Sequence, residues 1–187
     1  MTVYSGDTLV TLFRAAVADR GDALALVGPD RSVTWNEYAR EVDSLATGLR
    51  SLALRKGERV GLLMDNSPDF HIADMAVLVA GAVPFSIDPR DAPSRVAALL
   101  RVASPPILIA DERHLAAARS LAEQSPVVRV LGMSDFPEVI GRTEPEQPGP
   151  EDIATLIFTS GTTGEPKAVQ LAHRVMVSSL RSTDAVA

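Results

Sequence analysis

The sequence contains no cysteine among its 187 residues. Disulfide cross-links and thiolate catalysis are therefore excluded, and the composition suits the cytoplasm. Basic residues form no cluster and the formal net charge is -6, which disfavours nucleic acid or an anionic membrane as a partner. The longest apolar run, at residues 75–83, is too short to cross a bilayer, and no secretory signal is recognisable. These absences predict a cytoplasmic protein with no membrane span and no nucleic-acid partner.

Apolar residues make up 46% of the chain, which is enough for a packed core. Residues 7–20 carry apolar side chains at helical spacing, with Asp7 as the expected cap and Gly21 as the expected end. Thr34 and Glu37 have the spacing of a capping box. The chain is therefore predicted to begin with two amphipathic helices.

Short apolar runs then alternate with amphipathic segments. The predicted strands are RVGLLM (59–64), AVPFSI (82–87), PILIA (106–110) and VVRVLG (127–132). The predicted helices between them cover residues 67–81, 92–103 and 112–124. Continuous apolar strands separated by helices are typical of a parallel sheet that is buried on both sides. We expect an α/β fold with a mostly parallel sheet covered by helices on both faces.

A Pro/Gly-rich stretch, GRTEPEQPGPED at residues 141–152, interrupts this alternation. Such a composition does not form a packed element and predicts a surface linker. It divides the chain into an α/β N-terminal subdomain (1–140), the linker (141–152) and the start of a second subdomain (153–187). The last part is predicted to be a strand, a polar loop and a second strand, the beginning of an incomplete subdomain.

The polar loop lies within FTSGTTGEPKAV, residues 158–169. Its two glycines, Gly161 and Gly164, allow close approach of a ligand to the backbone, and Lys167 adds a positive charge. It also carries four hydroxyl side chains: Thr159, Ser160, Thr162 and Thr163. Hydroxyls, exposed amides and a lysine suit an oligophosphate. The plain alternative is a polar hairpin connection that happens to be rich in glycine and threonine.

The loop is not a Walker A motif, because Glu165 and Pro166 separate Gly164 from the lysine, and a strand rather than a helix follows. A general nucleotide-binding protein of the Walker type is therefore disfavoured. The pattern predicts a loop between two strands.

The stretch resembles the phosphate-loop signature of the adenylate-forming superfamily, Y/F-T-S-G-S/T-T-G-x-P-K-G-V with a histidine soon after. Residues 158–167 match it throughout, and His173 lies where that histidine is expected. Residues 56–89 resemble the early G-D-R-V, N-x-P-E-F and A-G-A-V blocks of the same superfamily. It includes acyl-CoA synthetases, peptide synthetase adenylation domains and luciferases, and fatty-acid:CoA ligases are the most similar branch.

This resemblance implies that ATP with Mg²⁺ and a carboxylic acid form an acyl-adenylate and pyrophosphate, after which coenzyme A or another thiol displaces AMP. It implies phosphate binding by seven residues: Thr159, Ser160, Gly161, Thr162, Thr163, Gly164 and Lys167. It implies no catalytic residue and no metal ligand within this chain. Three scattered histidines without cysteine partners likewise predict no metal site.

Two departures from the pattern matter. Ala168 stands where the family has glycine, and it would be strained if that position required a positive φ. The adenine, ribose and hinge motifs and the C-terminal domain with its catalytic lysine have no counterpart in the sequence. We therefore expect an acid:CoA ligase fragment that is inactive alone. The alternative is a non-catalytic binding module, or one half of a split enzyme that associates with a partner chain.

Other polar residues have simpler interpretations. Asp65 and Asp88 each follow a predicted strand, where turn capping is expected. His173 follows the last predicted strand and is expected to be structural.

Overall fold

The computed structural model describes residues 7–136, 147–160 and 166–184. It contains six helices within those ranges: α1 (Leu9–Arg20), α2 (Trp35–Ser51), α3 (Pro68–Val79), α4 (Pro93–Ala103), α5 (Leu115–Ala122) and α6 (His173–Asp184). The strands in the same ranges are β1 (Leu24–Val27), β2 (Ser32–Thr34), β3 (Arg59–Leu63), β4 (Val83–Ile87), β5 (Ile107–Ala110), β6 (Arg129–Gly132), β7 (Ile153–Ser160) and β8 (Pro166–Ala172).

A four-stranded sheet with the order β4-β3-β5-β6 forms the centre of the fold. All three strand pairs in it are parallel. The four apolar runs of the sequence are these four strands, and the helices predicted between them are present as α3, α4 and α5. The predicted α/β architecture is therefore confirmed.

Each face of the sheet packs against its own group of helices, because successive side chains of a strand point to opposite faces. Val60 and Leu62 of β3 pack in one core with residues of α1, α2 and α3. Phe85 of β4 and Leu108 of β5 pack in a second core with residues of α4 and α5. Gly61 allows this close packing, since a Cβ there would lie 2.9 Å from Leu108 Cδ1.

The helix ends follow the sequence signals with one correction. The capping box of Thr34 and Glu37 is present at the start of α2, and Gly21 ends α1 with a φ of 36°. The cap of α1, however, is Thr8 and not Asp7. The Thr8 hydroxyl accepts a hydrogen bond from the Thr11 amide, so a neighbouring hydroxyl takes the position expected for the carboxylate.

Strands β7 and β8 form an antiparallel hairpin that lies beside β4. The prediction of a loop between two strands is thus confirmed for the flanking elements. Helix α6 follows β8 directly and contacts α1 and both hairpin strands. The division of the chain at residues 141–152 stays a prediction, because residues 137–146 lie outside the described ranges.

In the described ranges, none of the helices combines the length and the apolar character that a bilayer crossing requires.

The carboxyl group of Asp74 on α3 gives a test of the core. Burial raises its pKa from 3.8 to about 6. A carboxyl whose pKa is higher in the folded state destabilises the fold as pH rises from about 4 through 6. We expect Asp74→Asn to raise the free energy of unfolding by about 2 kcal/mol at pH 7.5 and to change it little at pH 4. Thermal unfolding at both pH values measures this.

Asp30→Asn, in the exposed turn between β1 and β2, is the matched control. It should leave the free energy of unfolding unchanged at both pH values. An Asp74→Asn variant with no gain at pH 7.5 would contradict the assignment of a raised pKa.

Candidate functional site

The hairpin places Thr159 and Lys167 side by side. The two residues are directly opposite each other in the β7–β8 register, and residues directly opposite share one face of the sheet. Both are exposed. A hydroxyl and an ammonium group therefore flank the point at which the chain leaves β7 and returns in β8.

The remaining predicted phosphate-binding residues are Ser160, Gly161, Thr162, Thr163 and Gly164. Ser160 is the last residue of β7, and residues 161–165 lie outside the described ranges. The phosphate-binding assignment of all seven residues stays a prediction, and for these five the side-chain positions are not described either. The structure describes only Thr159 and Lys167 of the seven in full.

The concern about strain at Ala168 is removed by the hairpin. Ala168 is a strand residue paired with Phe158. Within the part of the chain that the structure describes, the non-glycine residues with positive φ are Ala53 and Ser104. Alanine is therefore compatible with this position.

An open cleft of about 790 Å³ lies between the carboxyl ends of β3 and β4 and one side of β7. Ligands of open α/β sheets bind at such carboxyl ends. Its lining combines apolar side chains with a charged rim. The lining residues include Phe70, Ile87, Leu99, Leu156 and Phe158 among the apolar ones, and Asp65, Asp88, Arg90, Asp91 and Arg95 among the charged ones.

The charged rim is largely paired within itself. Arg90 donates to both carboxylate oxygens of Asp88, at 2.9 and 2.7 Å, and Asp88 also accepts from the Arg90 amide. These hydrogen bonds lower the pKa of Asp88 to about 2. Arg95 contacts Asp91 at 3.2 Å. The turn role predicted for Asp88 is confirmed.

Asp65, Asp111 and His114 form a cluster that the sequence did not predict. They follow β3 and β5, which are neighbours in the sheet, and each could offer one metal-ligand atom within 4.8 Å of the others. Asp111 already accepts from the amides of Asp65 at 2.8 Å and His114 at 3.1 Å. These hydrogen bonds explain why the three residues lie together: they join the end of β3 to the end of β5.

The turn-capping role predicted for Asp65 is wrong, because the carboxylate pairs with side chains of the next strand end, and the nearby helix α3 is capped by Ser67. The Asp65 carboxylate instead lies 3.3 Å from His114 Nε2 and 3.4 Å from an Arg113 nitrogen. These partners follow β5, which lies beside β3 in the sheet. The sequence around Asp65 therefore does not reveal them.

His173 is buried at the start of α6, with 1% of its surface exposed. Its Nδ1 accepts a hydrogen bond of 3.2 Å from the Leu9 amide, which connects α6 to the start of α1. Burial lowers its pKa, against a smaller opposing effect of Asp152. The structure thus gives this histidine the structural role that was expected.

The fold and the hairpin motif are those of the N-terminal part of adenylate-forming enzymes. Residues 13–187 match the family described as AMP-binding enzyme, and the chain belongs to that family. The resemblance found in the sequence is confirmed.

Relatives differ in the acid named for them. The chain is 30% identical to the L-proline–[L-prolyl-carrier protein] ligase of Streptomyces coelicolor, over 91% of this chain and 35% of the relative. It is 33% identical to the 3-hydroxybenzoate–CoA/4-hydroxybenzoate–CoA ligase of Thauera aromatica, over 82% of this chain and 32% of the relative. A solved structure from work on fatty acyl-adenylate ligases of E. coli and L. pneumophila aligns with a TM-score of 0.82 at 27% identity. That alignment covers 97% of this chain and 34% of the solved one.

The chain therefore spans about a third of the length of the relatives it matches.

Substitutions of His173 separate its acceptor role from its titration. His173→Leu leaves the partly buried Leu9 amide without its acceptor, and we expect a loss of about 1–3 kcal/mol in the free energy of unfolding. His173→Asn can still accept through Oδ1 and should lose less. Because the folded state favours the neutral imidazole, protonation below the ordinary pKa of 6.5 destabilises the wild type.

Both variants should therefore lose less stability than the wild type between pH 7.5 and pH 5.5, as measured by urea unfolding. Equal acid sensitivity in all three proteins would contradict the buried, neutral histidine.

Proposed function

We propose that this chain is the phosphate-binding part of an enzyme that activates a carboxylic acid with ATP, forming an acyl-adenylate and pyrophosphate, and then a thioester. The observation that carries the proposal is the family's phosphate-loop motif at the turn of an antiparallel hairpin, with Thr159 opposite Lys167. This strand pair brings the Thr159 hydroxyl and the Lys167 ammonium group onto one face, where both could contact one ligand.

The loop residues would hold the β- and γ-phosphates of ATP. Charge develops on the departing pyrophosphate as the acid attacks the α-phosphate, and fixed donors are most effective where charge develops. Lys167 would supply the positive charge, and Thr159, Ser160, Thr162 and Thr163 the hydroxyl donors. Gly161 and Gly164 would let the backbone amides approach the phosphates.

Magnesium would reach this site on the nucleotide. The described strands of the hairpin carry no carboxylate side chain, and Mg²⁺ is often bound through substrate phosphates with few protein ligands. When bound, Mg²⁺ would neutralise phosphate charge. This part of the chain would then contribute donors to the phosphates and not ligands to the metal.

We propose a fatty acid as the first substrate to test and coenzyme A as the acceptor. The fatty acyl-adenylate ligase structure aligns over nearly the whole chain, and the Thauera relative is named a CoA ligase. Amino acids and aryl acids belong in the same test, since relatives with those named substrates match at comparable identity. We place the reaction in the cytoplasm, in agreement with the lack of cysteine.

We further propose that the 187 residues alone do not catalyse adenylation, since the relatives are about three times as long.

Lys167→Ala tests the phosphate site. Removing one charge-assisted contact, which contributes roughly 1.5–3 kcal/mol, should weaken pyrophosphate and Mg·ATP binding by at least about tenfold. NMR titration of the ¹⁵N-labelled chain measures the dissociation constants. Lys56→Ala is the matched control: Lys56 pairs with Asp152 at 3.1 Å near the start of β7, at the end opposite the turn.

Unchanged binding in Lys167→Ala would exclude the proposed role of the lysine. ATP–pyrophosphate exchange with fatty, aryl and amino acids should give no signal for the wild-type chain. Exchange with any of them would overturn the proposal that this chain is inactive alone.

A second candidate function is association with a separate chain that completes the fold. Ile157 and Val169 are directly opposite each other on the hairpin, and 48% and 44% of their surfaces are exposed. Adjacent exposed branched side chains are typical of a surface that another element covers. This favours one half of a split enzyme over an isolated binding module.

Replacing both residues, Ile157→Lys with Val169→Lys, should leave the fold intact, since neither side chain is buried. It should weaken association with a polypeptide carrying the remaining two-thirds of the family fold, from the same genome, by at least about tenfold. Sedimentation velocity measures this. Val128→Lys, at an exposed position next to β6 on the far side of the sheet, is the control. Equal association of all three proteins would exclude this face as the contact.

A further inference from the structure

Strand β4, at the edge of the parallel sheet beside the hairpin, contains a proline. Strand β4 pairs with β3 on one side only. Pro84 lies within β4 and has no amide hydrogen to donate, which is why proline is tolerated on edge strands. Its carbonyl oxygen accepts a hydrogen bond of 3.1 Å from the Thr155 hydroxyl of β7.

No backbone ladder joins β7 to β4 in the part of the chain that the structure describes; the three sheets are separate. Side-chain contacts connect the strands instead. The Thr155 hydroxyl bonds to the Pro84 carbonyl, and Leu156 is buried in the same core as Phe85. Phe158 makes an edge-to-face contact with Phe85, with ring centroids 5.5 Å apart at 60°. Phe85 is fully buried, so this ring contact is fixed to the core.

These contacts lie on the strand that leads into the loop. Thr155 and Thr159 are four residues apart and so share one strand face, about 13 Å apart at 3.3 Å per residue. Thr159 is opposite Lys167. No backbone ladder restrains the tilt of β7 against β4, so side-chain contacts have to do so, and the Thr155 hydroxyl supplies a directional hydrogen bond among them. A change at Thr155 can therefore move Thr159 and Lys167 together relative to the cleft.

We propose that Thr155 is a positioning residue for the phosphate loop: its hydroxyl, bound to the Pro84 carbonyl, sets the position of the hairpin against the parallel sheet. The inference rests on the proposed phosphate-binding function. Thr155 contacts no phosphate itself; it acts through the strand on Thr159 and Lys167. Small displacements of binding groups reduce binding and rate because the groups no longer meet the ligand together.

The test compares Thr155→Val, which keeps the shape and removes the hydroxyl, with Thr155→Ser, which keeps the hydroxyl. NMR titration with pyrophosphate gives the dissociation constants, and amide hydrogen exchange reports on residues 156–160 and 167–170. The control is Thr47→Val, which removes a comparable hydroxyl bond to a carbonyl, that of Asp43 on α2 at 2.7 Å.

We expect Thr155→Val to weaken pyrophosphate binding about threefold to tenfold and to speed exchange selectively in the hairpin. Thr155→Ser should restore both, and Thr47→Val should change neither. Unchanged binding in Thr155→Val, or a loss that Thr155→Ser does not restore, overturns the inference. A wild-type chain that binds no pyrophosphate overturns the proposed function and the phosphate role of Thr155. The exchange measurement still decides in that case whether Thr155 anchors the hairpin.

Discussion

A parallel sheet has to be buried on both faces, and the rest of this structure depends on that requirement. Strands β3 and β5 are buried along nearly their whole length, with helices above and below them. Polar side chains are consequently displaced to the ends of the strands. Asp65, Asp88 and Asp111 all follow carboxyl ends, where they meet arginines and a histidine from the next connection. The cleft lies at this edge, between these charged side chains and β7.

The hairpin of β7 and β8 packs beside β4 at the edge of the parallel sheet. Ala154 and Leu156 are buried against the two cores, while Ile157 and Thr159 on the other strand face are exposed. The inner face of β7 therefore packs against the cores, whereas the outer face carries the candidate phosphate residue Thr159 and the Thr155 hydroxyl that bonds to Pro84.

Local signals predicted most of the elements, and tertiary contacts explain what they missed. The apolar runs and the Thr34–Glu37 capping box depend on neighbouring residues, so their patterns are visible in the sequence. The hydrogen bond between Thr155 and Pro84 joins residues 71 positions apart, and no periodicity marks it. The hydrogen bond between Asp65 and Asp111 depends on β5 pairing with β3 and not with β4. Strand order of this kind is not a local property of the sequence.

The energetics of phosphate binding explain why this region would need the rest of a nucleotide site. Charge-assisted hydrogen bonds contribute roughly 1.5–3 kcal/mol each, and three or four of them give about 5–12 kcal/mol. Association costs an estimated 4–15 kcal/mol in lost translational and rotational freedom. The difference ranges from no net binding to about 8 kcal/mol, which corresponds to a dissociation constant of about 1 μM at the most favourable values. Contacts to adenine and ribose would have to supply the remaining affinity, and this chain, at about a third of the length of its relatives, shows no motif for either. If this region held only the phosphates, the position of its flanking residues Thr159 and Lys167 would matter as well as the number of donors, because misplaced donors would not offset the cost of association.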